Sequence, residues 1–477
     1  MEDNIFQTEG DSLVIVFCAN CSFTAAGNTM QSDLRPCIFM GECWASNFSI
    51  SRNNVAGAMG LILFYCFDST GEIHDNTFNL EDYAVALYRG FYDSKVSIFD
   101  NDIFVGYEDT PGPINGIFSQ ILRGEINIVN NSIESAASGA AGINVWVSED
   151  ENGEETEPES AGLSSLAPLL QAAGAKGAAR KGRAAPATAG SGEAKINIEG
   201  NRVSGLTYGI GLYVSPETVS ACNAAIHANI MRENQRGLDL DLIINHPDST
   251  VAVFNNLFQR NERGITIENL SLVSADSVTA FLNSFTGNTV AAIANKLDGI
   301  IFNAPLNWWG SAAGPSTEGN ATGGDFVEGV NYEPWLKELK LSTSGNSLKD
   351  GGVNKVKATL LDSAGSVVET DLLEVLFTVT GANNLSEVVK LAGGVATFSY
   401  KDRSPGTDTI AARLLFAGEA AADYLESEAQ TTWKAGSAEK RELPRTTAAM
   451  PVAGLAGLAC LLAGAALRAR RRKGADS

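Results

Sequence analysis

The sequence predicts an all-β protein made of a parallel β-helix solenoid, a β-sandwich and one C-terminal transmembrane helix. Three observations lead to this fold class. A short unit centred on asparagine recurs through the first part of the chain, alternating apolar strands follow it, and an uncharged run at 450–467 precedes a basic cluster. With 477 residues, 44% of them hydrophobic, the chain can hold two or three domains and a large core.

The overall charge restricts the kind of partner. The formal net charge is −22, which argues against nucleic acid as a partner, because binding a phosphate backbone requires clustered Lys and Arg. This charge fits a self-repelling surface protein. The sequence has three histidines, and their scarcity disfavours a histidine-based metal or acid–base site.

Four of the seven cysteines are close in the sequence. Cys18 and Cys21 form a CxxC motif, and Cys37 and Cys43 follow. A metal site or a redox pair is one interpretation of this spacing. The other, which we favour, is that these are small buried residues with at most a local disulfide.

The repeat consists of an apolar strand, an asparagine, any residue and a further apolar residue. Successive copies are 25, 23, 25, 30, 70, 28, 27 and 27 residues apart. Apart from the step of 70 residues, these distances are typical of one coil of a parallel β-helix. The repeat asparagines are Asn28, Asn53, Asn76, Asn101, Asn131, Asn201, Asn229, Asn256 and Asn283.

A second strand follows the repeat asparagines. Ile210, Leu238 and Ile265 each lie nine residues after one of them and directly after a glycine, in GIGLYV, GLDLDL and GITIEN. Alternating apolar residues are typical of strands, and glycine permits the turn that enters each strand. Two neighbouring copies, STVAVFNNLF and DSVTAFLNSF, align without a gap.

The asparagines are expected to form an inward ladder. Stacked coils place equivalent residues about 4.8 Å apart, so that the amide of one asparagine can bond both the next amide and the turn backbone. Asparagine also tolerates left-handed turn geometry. The alternative interpretation, ordinary loop asparagines, does not explain the regular spacing of the copies.

A closing motif, NWWGSAAGPS, ends the repeats and is followed by GGDFVEG and NYEPWL. It resembles the motif at the end of right-handed β-helix domains in secreted bacterial and archaeal surface proteins, and the resemblance covers residues 1–335. It implies that Trp308 and Trp309 cover the last coil, while Gly310, Gly314 and Pro315 turn the chain across its end. Sugar binding by the two tryptophans is a weaker alternative.

The long step of the repeat contains an insertion, at 148–194. Its first half, SEDENGEETEPES, is acidic, and its second half is Ala/Gly-rich and basic. We expect an extruded, disordered loop, because the segment has no periodicity and the repeat resumes after it. A short helix at SLAPLLQAAG and cation binding by the acidic half are weaker alternatives.

Residues 336–434 have a different pattern, with short alternating strands separated by turns such as DSAG and SPGTD. These features predict a β-sandwich. The segments ATLLDSAG, VLFTVTG, GVATFSY and GTDTIA resemble the bacterial immunoglobulin-like domains of invasin and intimin. That resemblance implies a stalk or an adhesive module without a catalytic site. The full predicted fold class is therefore a right-handed parallel β-helix, an immunoglobulin-like β-sandwich and a C-terminal transmembrane helix.

The C-terminal region predicts attachment to a membrane or cell wall. A polar linker at 435–449 contains LPRT, formed by Leu443, Pro444, Arg445 and Thr446, which resembles the LPxTG motif of sortase substrates but has Thr447 in place of glycine. The apolar run at 450–467 is just long enough to cross a bilayer, and the basic tail at 468–477 should stay cytoplasmic. A sortase-cleaved tail is favoured over a permanent anchor.

The N-terminus carries no secretory signal, although the predicted anchor depends on export. We therefore expect that the chain starts inside its fold, as a fragment or from a misplaced start.

The leading functional hypothesis is a cell-surface structural or adhesin-like protein that displays a rod for contact with extracellular glycans or a neighbouring or host cell. The alternative is a polysaccharide lyase, hydrolase or epimerase. The candidate residues for that activity are Asp239 and Asp241, which share one strand face, with Arg236, Arg260 and Arg263 in nearby turns. An ordinary surface ion-pair patch is the simpler interpretation of these residues. We expect no cofactor, and calcium binding by acidic turns is a minor possibility.

Overall fold

The computed structural model describes residues 4–8, 13–106, 114–148 and 192–434, except for 217, 219, 273–276, 298, 320, 346, 350, 402–403 and 421–424. All regular elements in this part of the chain are β-strands. None of the described residues belongs to a helix that could span a membrane. The predicted insertion loop, apart from its flanks, and the predicted linker, LPRT motif, transmembrane helix and basic tail lie outside the described residues.

The first thirty strands build a parallel β-solenoid, as the repeat predicts. In chain order they are β1 (Ile5–Thr8), β2 (Leu13–Ala19), β3 (Ser22–Ala26), β4 (Thr29–Trp44), β5 (Asn47–Ser51), β6 (Asn54–Phe67), β7 (Thr70–His74), β8 (Thr77–Leu80), β9 (Val85–Tyr92), β10 (Ser94–Phe99), β11 (Asp102–Val105), β12 (Asn115–Ile121), β13 (Gly124–Val129), β14 (Ser132–Glu134), β15 (Ala141–Val147), β16 (Glu193–Glu199), β17 (Arg202–Ser204), β18 (Tyr208–Val214), β19 (Ala221–His227), β20 (Ile230–Arg232), β21 (Arg236–Ile244), β22 (Thr250–Phe254), β23 (Leu257–Gln259), β24 (Arg263–Leu272), β25 (Val278–Phe281), β26 (Ser284–Thr286), β27 (Ala291–Asn295), β28 (Phe302–Asn303), β29 (Val327–Glu328) and β30 (Val330–Asn331).

The solenoid has three rows of parallel strands. One row is a separate sheet that runs from β3 through β5, β7 and β10 to β30. The other two rows are joined, because β6 pairs with β8 through its first half and with β9 through its second half. We call β8, β11, β14, β17, β20, β23 and β26 the short row, and β9, β12, β15, β18, β21, β24 and β27 the long row. The long row carries the candidate site.

The stacking continues across the insertion. Strands β13 and β15 precede the insertion, and they pair in register with β16 and β18, which follow it. The side chain of Asn131 donates to Asn201 at 3.0 Å although 70 residues separate them. The insertion therefore leaves the coil sequence intact.

A ladder of asparagines fills the corner between the separate sheet and the short row. Each amide nitrogen donates to the next amide oxygen at 2.9–3.2 Å, and the same oxygen also accepts the backbone N–H of the preceding asparagine. Within the described residues, the ladder consists of Asn4, Asn28, Asn53, Asn76, Asn101, Asn131, Asn201, Asn229, Asn256, Asn283 and Asn307. The structure thus places all nine predicted asparagines in one column and extends it at both ends.

The left-handed turn residue is not the asparagine itself, which corrects the expectation from sequence. It is the residue before each ladder position, with φ between 53° and 68°. These residues are Gly27, Arg52, Asp75, Asp100, Asn130, Gly200, Ala228, Asn255, Leu282 and Leu306. Several of these residues are bulky, and the left-handed backbone conformation costs energy for any residue with a Cβ atom. The hydrogen-bonded asparagine ladder supplies compensating interactions at every corner.

The two other corners contain shorter polar ladders. In the last coils, Asn234, Asn261 and Asn288 bond one another at 3.1 Å, and Asp325 ends this series by accepting from Asn288 at 2.7 Å. In the first coils, serine hydroxyls accept backbone N–H groups of the preceding coil, as Ser69 does from Ser46. These ladders satisfy buried polar groups at each change of direction.

The interior is filled by columns of apolar side chains. On the separate sheet, Ile73, Ile98, Ile128, Ile198 and Ile226 lie in register and are fully buried. Burial of a branched side chain of this size stabilises the fold by about 1.5–3 kcal/mol. The alternation of inward apolar residues with outward residues therefore fixes which face of each strand meets solvent.

The two closing tryptophans have different surroundings. Trp309 is fully buried in the solenoid core and stacks on Phe285 at 5.0 Å, so it covers the last coil. Trp308 lies outside the solenoid core and packs in a second apolar core, together with side chains of the C-terminal strands described below. Gly310 and Gly314 have φ of 78° and 84°, and the ring of Trp335 lies against Gly314.

The last eight strands form two sheets around one core. They are β31 (Leu336–Thr343), β32 (Ser347–Lys349), β33 (Val353–Asp362), β34 (Glu374–Gly381), β35 (Leu385–Lys390), β36 (Val395–Lys401), β37 (Gly406–Leu415) and β38 (Glu426–Lys434). One sheet has the order β31-β33-β36 and the other β32-β38-β37-β34-β35. Their inward residues, such as Val356, Phe377, Phe398 and Leu414, pack together, as the alternating pattern predicts for a sandwich.

A buried carboxylate joins the sheets of the sandwich. Asp408 is fully buried and accepts hydrogen bonds from Trp433 Nε1 at 2.6 Å, from Asn383 Nδ2 at 2.9 Å and from the Tyr400 hydroxyl at 3.1 Å. Burial is the main cause that raises the pKa of Tyr400 to about 12, and the Asp408 carboxylate adds to it. A buried charge is tolerated only with such partners.

The sandwich packs against the side of the last coils. Its core includes Ile230, Leu257, Leu282 and Trp308 from the solenoid, each buried. Three of them directly follow a ladder asparagine, a position that carries polar residues in the earlier coils.

Polar contacts also join the sandwich to these coils, and we call this whole interface the seat of the sandwich. Glu419 binds both Arg202 and Arg232, and Asn255 accepts the Ala417 N–H at 3.0 Å. Although burial opposes it, hydrogen bonding from the two arginines lowers the pKa of Glu419. The seat therefore combines an apolar centre with ion pairs at its edge.

Candidate functional site

The outward side of the long row carries the candidate site. Each strand alternates, so that Leu238, Leu240 and Leu242 point into the core while Asp239 and Asp241 point outward. In-register pairing then stacks the outward residues of successive coils into columns parallel to the solenoid axis. The site is built by this stacking of equivalent positions.

Aromatic residues from two neighbouring outward columns lie together in the middle coils, since Trp146 is in register with Tyr213 whereas Phe118 is in register with Asn144. Tyr88 contacts Phe118 with 4.9 Å between ring centroids, Phe118 lies 6.0 Å from Trp146, and Trp146 lies 5.0 Å from Tyr213. We call these four residues the aromatic stripe. Phe118 is buried, and the other three rings are partly exposed. Trp146 is held by a hydrogen bond from its Nε1 to Asn144 Oδ1 at 2.9 Å.

The stripe continues toward the first coils as a buried aromatic cluster. Phe64 stacks on Tyr88 at 5.3 Å and lies 5.7 Å from Phe39. Phe39, Phe64 and Tyr83 are nearly fully buried although they lie outside the solenoid core. The partly exposed rings are thus packed against a rigid apolar base.

In the following coils, charged residues replace the aromatic ones. The Arg236 guanidinium lies 2.9 Å from Asp239 and 2.7 Å from Glu268, and Lys296 lies 2.8 Å from Glu268. We call these four residues the charged cluster. The Arg236 guanidinium also lies over the Tyr208 ring at 5.2 Å. The two cations and two carboxylates balance, so the cluster offers hydrogen-bonding groups with little net charge.

The carboxylates of the cluster differ in pKa. Burial raises the pKa of Asp239, although Arg236 opposes the shift. The hydrogen bond from Lys296 is the main cause that lowers the pKa of Glu268. A raised and a lowered carboxylate pKa side by side are also found in acid–base sites, although structural ion pairs produce the same pattern.

The residues predicted from sequence are only partly brought together. Asp239 and Asp241 lie on one outward face, and Asp241 is in register with Tyr213. Arg263 lies beside Arg236 in the next coil and binds Glu262 at 2.6 Å.

Arg260 lies elsewhere, which corrects the expectation of one cluster. It has a left-handed backbone at the corner before β24, and its side chain binds Glu233 at 2.6 Å. The turn between the short and long rows therefore directs it to the equivalent corner residue of the neighbouring coil and not to the carboxylates.

Sequence reasoning missed Glu268, Lys296 and the aromatic stripe. A signal was present, because Tyr88, Tyr213, Asp241 and Glu268 each follow a ladder asparagine by twelve residues. Reading that offset down the coils would have placed all four on one face. No such offset marks Lys296, which directly follows the end of β27.

No metal site accompanies these residues in the described part of the chain, where no group of three or more His, Cys, Asp or Glu side chains could hold an ion. The fold and the site together define a parallel β-solenoid with an aromatic and charged outer face. Comparisons with family models, curated proteins and solved structures found no match to this chain.

Proposed function

We propose that this chain is a surface protein whose solenoid binds an extended, neutral polysaccharide along the outward side of the long row. The observation that carries the proposal is the aromatic stripe. Its rings follow the solenoid axis at intervals of 4.9–6.0 Å, on a rigid and repetitive surface. A glycan laid along that axis would stack the apolar faces of its sugars on the three partly exposed rings, those of Tyr88, Trp146 and Tyr213, which the buried Phe118 supports.

The charged cluster extends this surface with hydrogen-bonding groups for sugar hydroxyls. Asp239, Glu268 and Arg236 are held in place by one another, so that little side-chain freedom is lost on binding. The formal net charge of −22 repels acidic polymers at long range. These two features favour a neutral polysaccharide over an acidic one.

The proposal includes the architecture expected from sequence. A right-handed coil is supported by the strong preference of parallel crossovers for that hand. An immunoglobulin-like identity for 336–434 is supported by the strand orders, in which β31, β33 and β36 form one sheet and β32 pairs in parallel with the final strand. The LPRT motif and the apolar run at 450–467 support a sortase-type or membrane anchor, with the glycan-binding part outside the cell.

The binding test uses affinity electrophoresis of the full chain in gels containing glucan, mannan or xylan, with polygalacturonate and alginate as acidic comparisons. We expect retardation by a neutral polymer. Trp146→Ala and Tyr213→Ala should each weaken binding about tenfold. Phe99→Ala is the matched control, since Phe99 is a partly exposed aromatic on the separate sheet that stacks on His74. The proposal would be refuted if only acidic polymers retarded the protein, or if neutral polymers retarded the stripe variants as strongly as the unsubstituted protein.

A second candidate function is hydrolysis or elimination at the charged cluster. The specific observation in its favour is the partly buried Asp239, whose raised pKa would suit a proton donor. The same polysaccharides are incubated with the protein, and reducing and unsaturated ends are measured. Product formation that Asp239→Asn or Asp241→Ala abolishes would establish an enzyme, whereas retardation without products supports binding alone.

A further inference from the structure

The first coils contain a column of cysteines inside the solenoid. Cys18, Cys43 and Cys66 are in register on the neighbouring strands β2, β4 and β6, and all three are buried. Cys18 is joined by a disulfide to Cys21, while Cys43 and Cys66 are thiols. One member of a disulfide, Cys18, and two thiols therefore lie on adjacent strands of one column.

The spacing of the column allows a second disulfide pairing. In-register residues on paired strands are about 4.8 Å apart, which lies within the Cα–Cα range of about 4.4–6.8 Å that a disulfide spans. The Cys18–Cys21 pair has a Cα–Cα distance of 6.0 Å. Cys18 therefore has two cysteines within bonding reach, one in its own turn and one in the next coil.

The two thiols have different roles. The hydrogen bond from Cys66 lowers the pKa of Cys43. The same hydrogen bond, together with burial, raises the pKa of Cys66 well above its usual value. Since the thiolate is the form that attacks a disulfide, the lowered pKa of Cys43 makes it the more reactive thiol of the two.

Cys21 is the member of the group nearest the surface. It is only partly buried, at the corner after β2, where its Sγ lies 3.6 Å from Ser46 Oγ. A thiolate released at this position would be stabilised by the hydroxyl and would be accessible to solvent.

We propose that Cys43 is the internal exchange partner of the Cys18–Cys21 disulfide. The Cys43 thiolate attacks Cys18 Sγ, the Cys18–Cys43 bond forms, the Cys18–Cys21 bond breaks and Cys21 leaves with the electron pair. Cys43 has given its proton to water and Cys21 takes one up, so the exchange consumes no oxidant or reductant. It links the first coil to the second and exposes Cys21 for modification by an external disulfide or electrophile.

The exchange is tested by mapping disulfides in the full chain, purified without reductant. The native protein is alkylated with N-ethylmaleimide at pH 8, quenched with acid, digested and analysed by mass spectrometry. We expect peptides linked through Cys18–Cys43 together with alkylated Cys21. The Cys43→Ser variant should keep only the Cys18–Cys21 link and lose alkylation of Cys21. Cys222→Ala is the control, because burial raises the pKa of Cys222 to about 12 and it lies in a later coil.

The part played by Cys66 needs a rate measurement. Cys66→Ala removes the hydrogen-bond donor and should slow alkylation of Cys21 about tenfold, while Cys66→Ser keeps a donor and should restore the rate. An unchanged rate in Cys66→Ala would overturn the role of Cys66. Wild-type protein that retains only the Cys18–Cys21 link after prolonged alkylation would overturn the exchange itself, whether or not the variants fold.

Discussion

Replacing one asparagine in the middle of the ladder tests how much the ladder stabilises the fold. The side chain of Asn229 is fully buried and makes four hydrogen bonds. Its Nδ2 donates to Asn256 Oδ1 at 3.0 Å and to the Ile198 carbonyl at 2.8 Å. Its Oδ1 accepts the backbone N–H and the side-chain amide of Asn201, both at 2.9 Å. Asn229→Ala removes all four.

The size of the loss follows from these contacts. Four hydrogen bonds at about 1 kcal/mol each amount to about 4 kcal/mol, and the Asn201 backbone N–H is left buried without its acceptor. A loss of this size is a large part of the stability of a typical domain. We therefore expect Asn229→Ala to lower the free energy of unfolding by about 4 kcal/mol.

Urea unfolding followed by far-ultraviolet circular dichroism measures this difference. Asn245→Ala is the matched control, since Asn245 is an exposed asparagine at the end of a strand in the same coil, and its loss should stay within about 0.5 kcal/mol. If Asn229→Ala costs less than about 1 kcal/mol, the ladder does not stabilise the corners as we argue.

Three further substitutions test other parts of the structure. Asp408→Ala removes the buried acceptor of Trp433 and should cost about 3 kcal/mol in urea unfolding followed by tryptophan fluorescence. Burial raises the pKa of Asp82 to about 7, so its favourable contribution is complete below about pH 4 and is lost as the pH rises through 7. Asp82→Asn should therefore make stability less dependent on pH between 4 and 8, with a gain of up to about 4 kcal/mol at pH 8, and equal pH profiles would contradict this. Leu257→Asp places a charge in the core shared by solenoid and sandwich and should make the junction sensitive to limited proteolysis. Thr77→Asp, at the equivalent exposed position of an earlier coil, should leave it resistant.

The solenoid could be predicted from sequence because its main signal is local and repeated. A buried amide that bonds its own corner and the next one must be an asparagine at nearly every coil, so the spacing of Asn201, Asn229, Asn256 and Asn283 contains the register directly. The end positions Asn4 and Asn307 were missed because each has a neighbour on only one side in the repeat.

The seat of the sandwich was harder to predict. Ile230 and Leu257 follow ladder asparagines at positions where earlier coils have exposed residues such as Thr77. That change from polar to apolar indicates a covered surface, but it does not indicate which part of the chain covers it. Long-range contacts such as those of Glu419 with the two arginines leave no periodic trace in the sequence.

The candidate site could be predicted from sequence only in part. A period of two placed Asp239 and Asp241 on one face without further information. The position of Arg260 depended on a left-handed corner residue, which the apolar pattern does not specify. Asp239 pairs with Arg236 on its own strand, but Glu268, which binds the same arginine, comes from the next coil and becomes visible only when equivalent positions are compared between coils.

The sandwich contacts only some of the coils, so it determines which part of the solenoid unfolds first. A stack of coils held only by nearest neighbours can unzip from either end. Here several successive coils are bound to the sandwich, so none of them can unfold singly. The residues that make these contacts are Arg202, Ile230, Leu257, Leu282 and Trp308. Unfolding should therefore begin among the coils before Arg202, which have no such contact with the sandwich among the described residues, and the coils that the sandwich holds should then unfold in a single cooperative step.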